Sequence, residues 1–83
     1  MIIHIPDMYI ETSDISRMSC VYQRIRSDDT CTNFYIYYKN GQHDNIEYCH
    51  ETDQKTEYLK KIINMRDKIA AIIANDDILN IEL

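Results

Sequence analysis

Residues 34–49 constrain this chain more than any other stretch. Phe34, Tyr35, Ile36, Tyr37 and Tyr38 run together, Lys39-Asn40-Gly41 follows, and Ile46, Tyr48 and Cys49 resume the pattern. Aromatic and β-branched side chains favour a pleated, half-buried surface, and Asn-Gly between two such runs is the strongest short-range hairpin signal. Loop length then decides which side chains share a face. A two-residue loop, Asn40-Gly41, would set Ile46 and Tyr48 beside Tyr35 and Tyr37. A three-residue loop, Lys39-Asn40-Gly41, with Gly41 as a left-handed bulge, sets them beside Phe34 and Ile36. A slip of one residue exchanges the faces, so only one register buries the more apolar set. The three-residue loop is therefore expected. Tyr35, Tyr37, Asn45 and Glu47 then lie on the opposite, partly exposed face.

An amphipathic helix follows. It is expected to start near Thr52 or Asp53, either of which can cap the first turn. Tyr58, Ile62, Met65, Ile69 and Ile72 recur at helical spacing and form one stripe. Leu59, Ile63, Ala70 and Ile73 lie beside it and widen it to about half the circumference. One face on one sheet needs only about 100°. The excess predicts a homodimer built on Leu59, Ile63, Ala70 and Ile73. Asn75-Asp76-Asp77 is expected to end the helix, because Asn and Asp favour breaks. Residues 78–83 are left for an edge strand or a partner-binding tail.

Upstream, Ile2–Ile5 reads as a short strand that Pro6 interrupts, and Met8–Glu11 resumes it. Thr12, Ser13 and Asp14 are turn formers. Another extended run goes from about Ile15 or Met18 to Arg26, with Met18, Cys20 and Tyr22 expected on one face and Val21 and Ile25 on the other. Ser27-Asp28-Asp29-Thr30 is a polar connection.

Eighty-three residues make one domain with a small core. One glycine and one proline leave no room for a linker or low-complexity segment. The net charge of −5 opposes direct binding to DNA or RNA, where cationic side chains release counterions from phosphates. An acidic chain suits a partner with a basic surface. The amino terminus has neither a basic leader nor a long apolar run, so no signal peptide or membrane span is expected. Cys20, Cys31 and Cys49 are odd in number and contain no Cys-x-x-Cys pair, so free thiols in a reducing, cytoplasmic setting are expected.

Nothing in the chain specifies a reaction. Cys49-His50 invites a metal reading with Cys20 or Cys31, but adjacent strand residues point to opposite faces, so Cys49 and His50 cannot easily share one ion. His43-Asp44 fails as a dyad for the same reason. Cys49 with His43 or His50 lacks a nucleophile signature. Glu47 and Glu51 are carboxylates without a sign of burial, and the single glycine rules out a phosphate loop. No metal, cofactor or enzyme activity is expected. The seven tyrosines are the stronger signal, since tyrosine combines large contact area with a polar tip.

The segments Met8-Tyr9-Ile10, Asp14-Ile15, Tyr35-Ile36-Tyr37-Tyr38-Lys39-Asn40-Gly41 and Leu59-Lys60-Lys61-Ile62-Ile63 resemble small meander-plus-helix proteins of the FlbD-like type. The resemblance implies a small regulatory binder rather than a catalyst.

The expected fold is α+β: an antiparallel sheet of three to five strands with one long C-terminal helix across one face. The expected role is a non-enzymatic binder that regulates or inhibits a protein partner through Tyr35, Tyr37, Asp44 and Glu47. The composition is rich in Ile, Asn, Asp, Tyr and Lys, as in small reading frames of phages and mobile elements, and extends this reading to an anti-defence inhibitor, such as one blocking the basic groove of a CRISPR effector. Two alternatives stand beside it: a dimer that sequesters a small nucleotide in tyrosine-lined pockets, and a structural subunit.

Overall fold

The computed structural model describes the backbone of residues 1–5 and 8–82 and the side chains of residues 1–5 and 8–74. The chain is α+β, with two antiparallel sheets and one long C-terminal helix. Strands β1 (Ile2–Ile5) and β2 (Met8–Glu11) form a hairpin of their own, with Ile3 opposite Ile10 and Ile5 opposite Met8. The expected interruption at Pro6 lies outside the described residues. A 3-10 turn at Thr12–Asp14 leads into β3 (Ile15–Met18). Then come β4 (Tyr22–Ile25), β5 (Asp29–Tyr38) and β6 (His43–Glu51). A second 3-10 turn at Thr52–Gln54 feeds α1 (Lys55–Glu82). No helix among the described residues is long and apolar enough to cross a membrane.

The β5–β6 hairpin adopts the three-residue loop. Gly41 N–H donates to Tyr38 O at 3.0 Å, and Tyr38 N–H donates to Gln42 O at 2.8 Å. Gly41 sits at φ +89°, where a glycine avoids the Cβ clash that other residues suffer. Phe34 then faces Ile46, Tyr35 faces Asn45 and Asn33 faces Glu47. Phe34 and Ile36 are both 0% exposed, and with Ile46 they form the sheet's contribution to the core.

β6 pairs with β5 from Asp29 to Tyr37, which leaves the other edge of β5 to both β3 and β4. Met18 pairs with Ile36 and turns toward the core, whereas Tyr22 pairs with Asn33 and turns outward. The expectation that Met18 and Tyr22 share a face is thus wrong. Residues 19–21 break the alternation between the two strands. Ser19 spans the gap: its N–H donates to Tyr35 O at 2.9 Å, and its hydroxyl accepts from Tyr35 N–H at 2.8 Å.

The helix lies on the inner face. Ile62 and Ile69 are buried in one cluster with Phe34, Ile36 and Ile46, which Ile5 and Ile10 of the β1–β2 hairpin and Ile15 of β3 complete. Each such isoleucine contributes about 1.5–3 kcal/mol of transfer free energy. The expected stop at Asn75-Asp76-Asp77 is not taken, since α1 continues to Glu82 and residues 78–82 form no edge strand. The poor helix propensity of Asn and Asp is a weak force that an existing helix overrides. Nor does Thr52 cap the helix. Its hydroxyl donates to Arg26 O at 2.8 Å instead, tying the start of the helix to the β4–β5 turn.

Cys31 and Cys49 are direct cross-strand partners and form a disulfide, with Cα atoms 4.1 Å apart. The free-thiol expectation holds for Cys20 alone, which is exposed. Counting cysteines missed the bond because pairing depends on register. Ladder bonds at Tyr38–Gln42 make even-numbered β5 positions hydrogen-bonded pairs, so Cys31–Cys49 is a non-hydrogen-bonded pair, where side chains approach most closely.

Candidate functional site

The helix covers one face of the four-stranded sheet and leaves the other open. Odd-numbered residues of β5 and β6 point to that open face, because side chains alternate along a strand. They bring together an aromatic row. Tyr35 lies 6.2 Å from Tyr37 and 6.1 Å from His43, and Tyr37 lies 5.8 Å from His43, between ring centroids. β4 adds Tyr22, 6.5 Å from Tyr35 in an edge-on arrangement and 51% exposed. β3 adds Arg17, whose guanidinium carbon stands 4.1 Å above the Tyr37 ring. Such a cation–π contact holds an arginine flat against the aromatic face.

Beside this row the sheet surface dips. Tyr22, Arg24, Asn33, Tyr35, Asn45 and Glu47 line a shallow concavity of about 590 Å³. Asn33 donates to Asn45 Oδ1 at 2.8 Å across its floor. A hydrogen bond with the Cys20 side chain, and then that group's negative charge, push the Tyr22 hydroxyl above the usual phenol range. Around the aromatic row this face carries Arg17 and Arg24 against Glu47, and its acidity lies at the far end of β5 and β6. Carboxylates gather at that end. There Asp29 pairs with Glu51 across strands, and Asp28, Asp53 and Glu57 stand in the adjoining turn and first helical turns.

Tyr35, Tyr37 and Glu47 share the open face as expected from the loop register. Asp44 does not join them. It pairs with Ile36 on the opposite face, and its Oδ2 accepts a 2.6 Å hydrogen bond from Tyr38. Burial, then this bond, then the Asp44 charge push the Tyr38 hydroxyl far above its ordinary range. Sequence reasoning missed Tyr22, His43 and Arg17. His43 was legible in principle, since the hairpin register alone places it beside Tyr37. Tyr22 was not, because the break at residues 19–21 resets the alternation, and Arg17 was not, because the β3–β5 register shifts between Ile15 and Arg17.

The other histidines serve structure. His50 is 9% exposed on the inner face and stacks on Tyr58 at 4.1 Å. Its Nδ1 lies 3.0 Å from Glu51 O, a pure acceptor, so Nδ1 carries the proton and Nε2 accepts from the Thr32 hydroxyl at 3.0 Å. Gln23 donates both to Thr32 Oγ1 and to Lys55 O, which fastens the helix start to the sheet. His4 stacks on Tyr9 at 4.5 Å. Of the four flanking helix residues, Leu59 and Ala70 are half-buried, Ile63 is 40% exposed, and Ile73 packs against the core.

Comparison with protein-family models, with curated proteins and with solved structures finds no match to this chain.

Proposed function

We propose that this chain is a small, non-enzymatic binding protein that regulates or inhibits a protein partner through the open face of its sheet. One observation carries this reading: Tyr22, Tyr35, Tyr37 and His43 form a continuous aromatic row, held by Arg17, on a face that no other part of the described chain covers. Tyrosine and arginine dominate interface hot spots because they bury large areas and still satisfy their polar ends. Rigid strands present them with little ordering left to do on binding. The acidic end at Asp28, Asp29, Glu51, Asp53 and Glu57 favours a partner whose surface is basic beside its aromatic-binding pocket. An inhibitor of a host defence machine with a nucleic-acid groove, encoded by a phage or mobile element, has this chemistry. The FlbD-like residue pattern supports the same regulatory class.

The test compares affinity capture by the wild-type chain with capture by Tyr22→Ala/Tyr35→Ala/Tyr37→Ala, followed by calorimetric titration of any partner found. The variant is expected to lose at least about 2 kcal/mol of binding, ~30-fold in affinity, while its far-ultraviolet dichroism stays unchanged. A folded variant that binds the same partner with undiminished affinity refutes the reading.

The concavity favours a second reading. Two tyrosines, Arg24 and paired asparagine amides around about 590 Å³ suit a small planar ligand such as a nucleotide. This reading expects the purified chain to release an ultraviolet-absorbing molecule on heating.

A further inference from the structure

The Cys31–Cys49 pair lies on the same open face as the aromatic row, and it is not alone there. Glu47 is two residues from Cys49 along β6 and therefore shares its face. Cys49 Sγ lies 3.9 Å from Glu47 Oε1; as a disulfide sulfur it carries no proton, so this is a contact rather than a thiol hydrogen bond. The two sulfurs and a Glu47 carboxylate oxygen all lie within 4.8 Å of one another. Cys49 and Glu47 are exposed, which leaves the group open to a reductant and to an ion, while Cys31 is 6% exposed and forms the inner wall.

We propose that this cluster is a redox-gated metal site: reduction of Cys31–Cys49 frees two thiols that, deprotonated and together with Glu47, bind one zinc-class divalent ion. The steps balance. Two molecules of a small thiol such as glutathione deliver two electrons and two protons. The Cys31–Cys49 bond breaks, two protein thiols form, and the two small thiols leave joined as their own disulfide. The entering ion then displaces two protons and is held by two thiolates and one carboxylate.

The donor set selects the metal. Thiolates favour zinc and other soft or borderline ions over magnesium and calcium, which prefer oxygen. Two thiolates on a tetrahedral zinc ion stand about 3.8 Å apart, given Zn–S bonds of about 2.3 Å. Side chains on directly opposed strand residues can span that separation by rotating about Cα–Cβ. Three protein ligands leave a fourth tetrahedral position for water. The sequence argument against metal concerned Cys49 with its neighbour His50, whose side chain does point to the other face. That reading already allowed Cys31 beside Cys49, but not Glu47, two places before Cys49 on the same face.

The experiment uses the full chain carrying Cys20→Ser, so that only this pair can react. Reduced protein, freed of reductant under anaerobic conditions, is titrated with Co²⁺ and then Zn²⁺, read by sulfur-to-cobalt charge-transfer absorption and native mass spectrometry. The proposal expects one ion per chain, thiolate absorption that Zn²⁺ abolishes, and no binding by the oxidised protein. Glu47→Gln is expected to weaken binding at least tenfold, and Cys49→Ser to abolish the absorption. Far-ultraviolet dichroism of each variant confirms that the sheet is intact. Reduced, folded protein that takes up no cobalt overturns the site, as does Glu47→Gln binding with wild-type affinity. The readout needs no protein partner, so it stands apart from the capture experiment.

Discussion

Single residues fix the hairpin, and they do so by backbone conformation as much as by side-chain contact. Gly41 has φ +89° and open space where a Cβ would stand, with nothing within 4 Å. Substitution there meets no neighbour, yet it forces an L side chain into the left-handed region. Gly41→Ala is therefore expected to cost about 1–2 kcal/mol, measured as a lower urea midpoint with an unchanged slope. Gly41→Asn should lose less, because asparagine tolerates that region. This glycine was legible in the sequence because its role is local. The Tyr38–Asp44 bond was not, since Asp44 looks like any solvated carboxylate until the register turns it inward. That bond has a pH signature. In the unfolded chain Tyr38 titrates near 10.0, and in the folded chain burial and Asp44 hold its proton to higher pH. Above about pH 10 the unfolded state thus binds fewer protons than the folded state, and stability falls as pH rises. Below that value both states keep the proton and this group adds no slope. Chemical denaturation across the alkaline range should show the decline, and Tyr38→Phe should make it shallower.

Strands and helix differ in how well sequence reveals them. The β5–β6 register followed from one turn and one hydrophobic sum, because exchanging the faces would have exposed Phe34 and Ile36. The α1 stripe was equally plain, and Ile62 and Ile69 are indeed its buried centre. Two element-level readings failed for a shared reason: both treated a local preference as decisive. Asn75-Asp76-Asp77 does not stop α1, and the run from Ile15 to Arg26 is two strands rather than one. What joins those two strands is Ser19, whose hydroxyl donates to Cys20 O at 2.8 Å while accepting from Tyr35 N–H. A serine oxygen here replaces the backbone carbonyl that a continuous strand would offer. Ser19→Ala leaves the Tyr35 amide without that acceptor, in a half-buried position. The expected cost is about 1–2 kcal/mol, with faster hydrogen exchange at Tyr35 than at the flanking β5 amides. Normal exchange at Tyr35 in the variant would show that water substitutes for the hydroxyl at no loss.

Two surfaces expected to meet partners lie on different layers of the described fold. The aromatic row belongs to the sheet's outer face, while Leu59, Ile63 and Ala70 run along one flank of α1. Only Ile63 of that flank is well exposed, at 40%, so the uncovered apolar strip is narrower than the sequence pattern implied. A strip this narrow falls well short of the roughly 800 Å² per partner of a standard interface. Any homodimer through it must draw on more of α1, and a two-fold axis crossing the helix would do so by bringing Ile63 close to its own copy. That geometry makes Ile63→Glu a sharp probe. Across the axis it sets two carboxylates near each other, whereas in the lone chain it touches water and should change stability by no more than about 0.5 kcal/mol. Sedimentation velocity over a wide concentration range is expected to show the wild-type chain passing from monomer to dimer and Ile63→Glu remaining monomeric. A wild-type chain that sediments as a monomer at every concentration removes the dimer. It leaves the aromatic face untouched, because capture by Tyr22, Tyr35 and Tyr37 depends on the other layer of the fold.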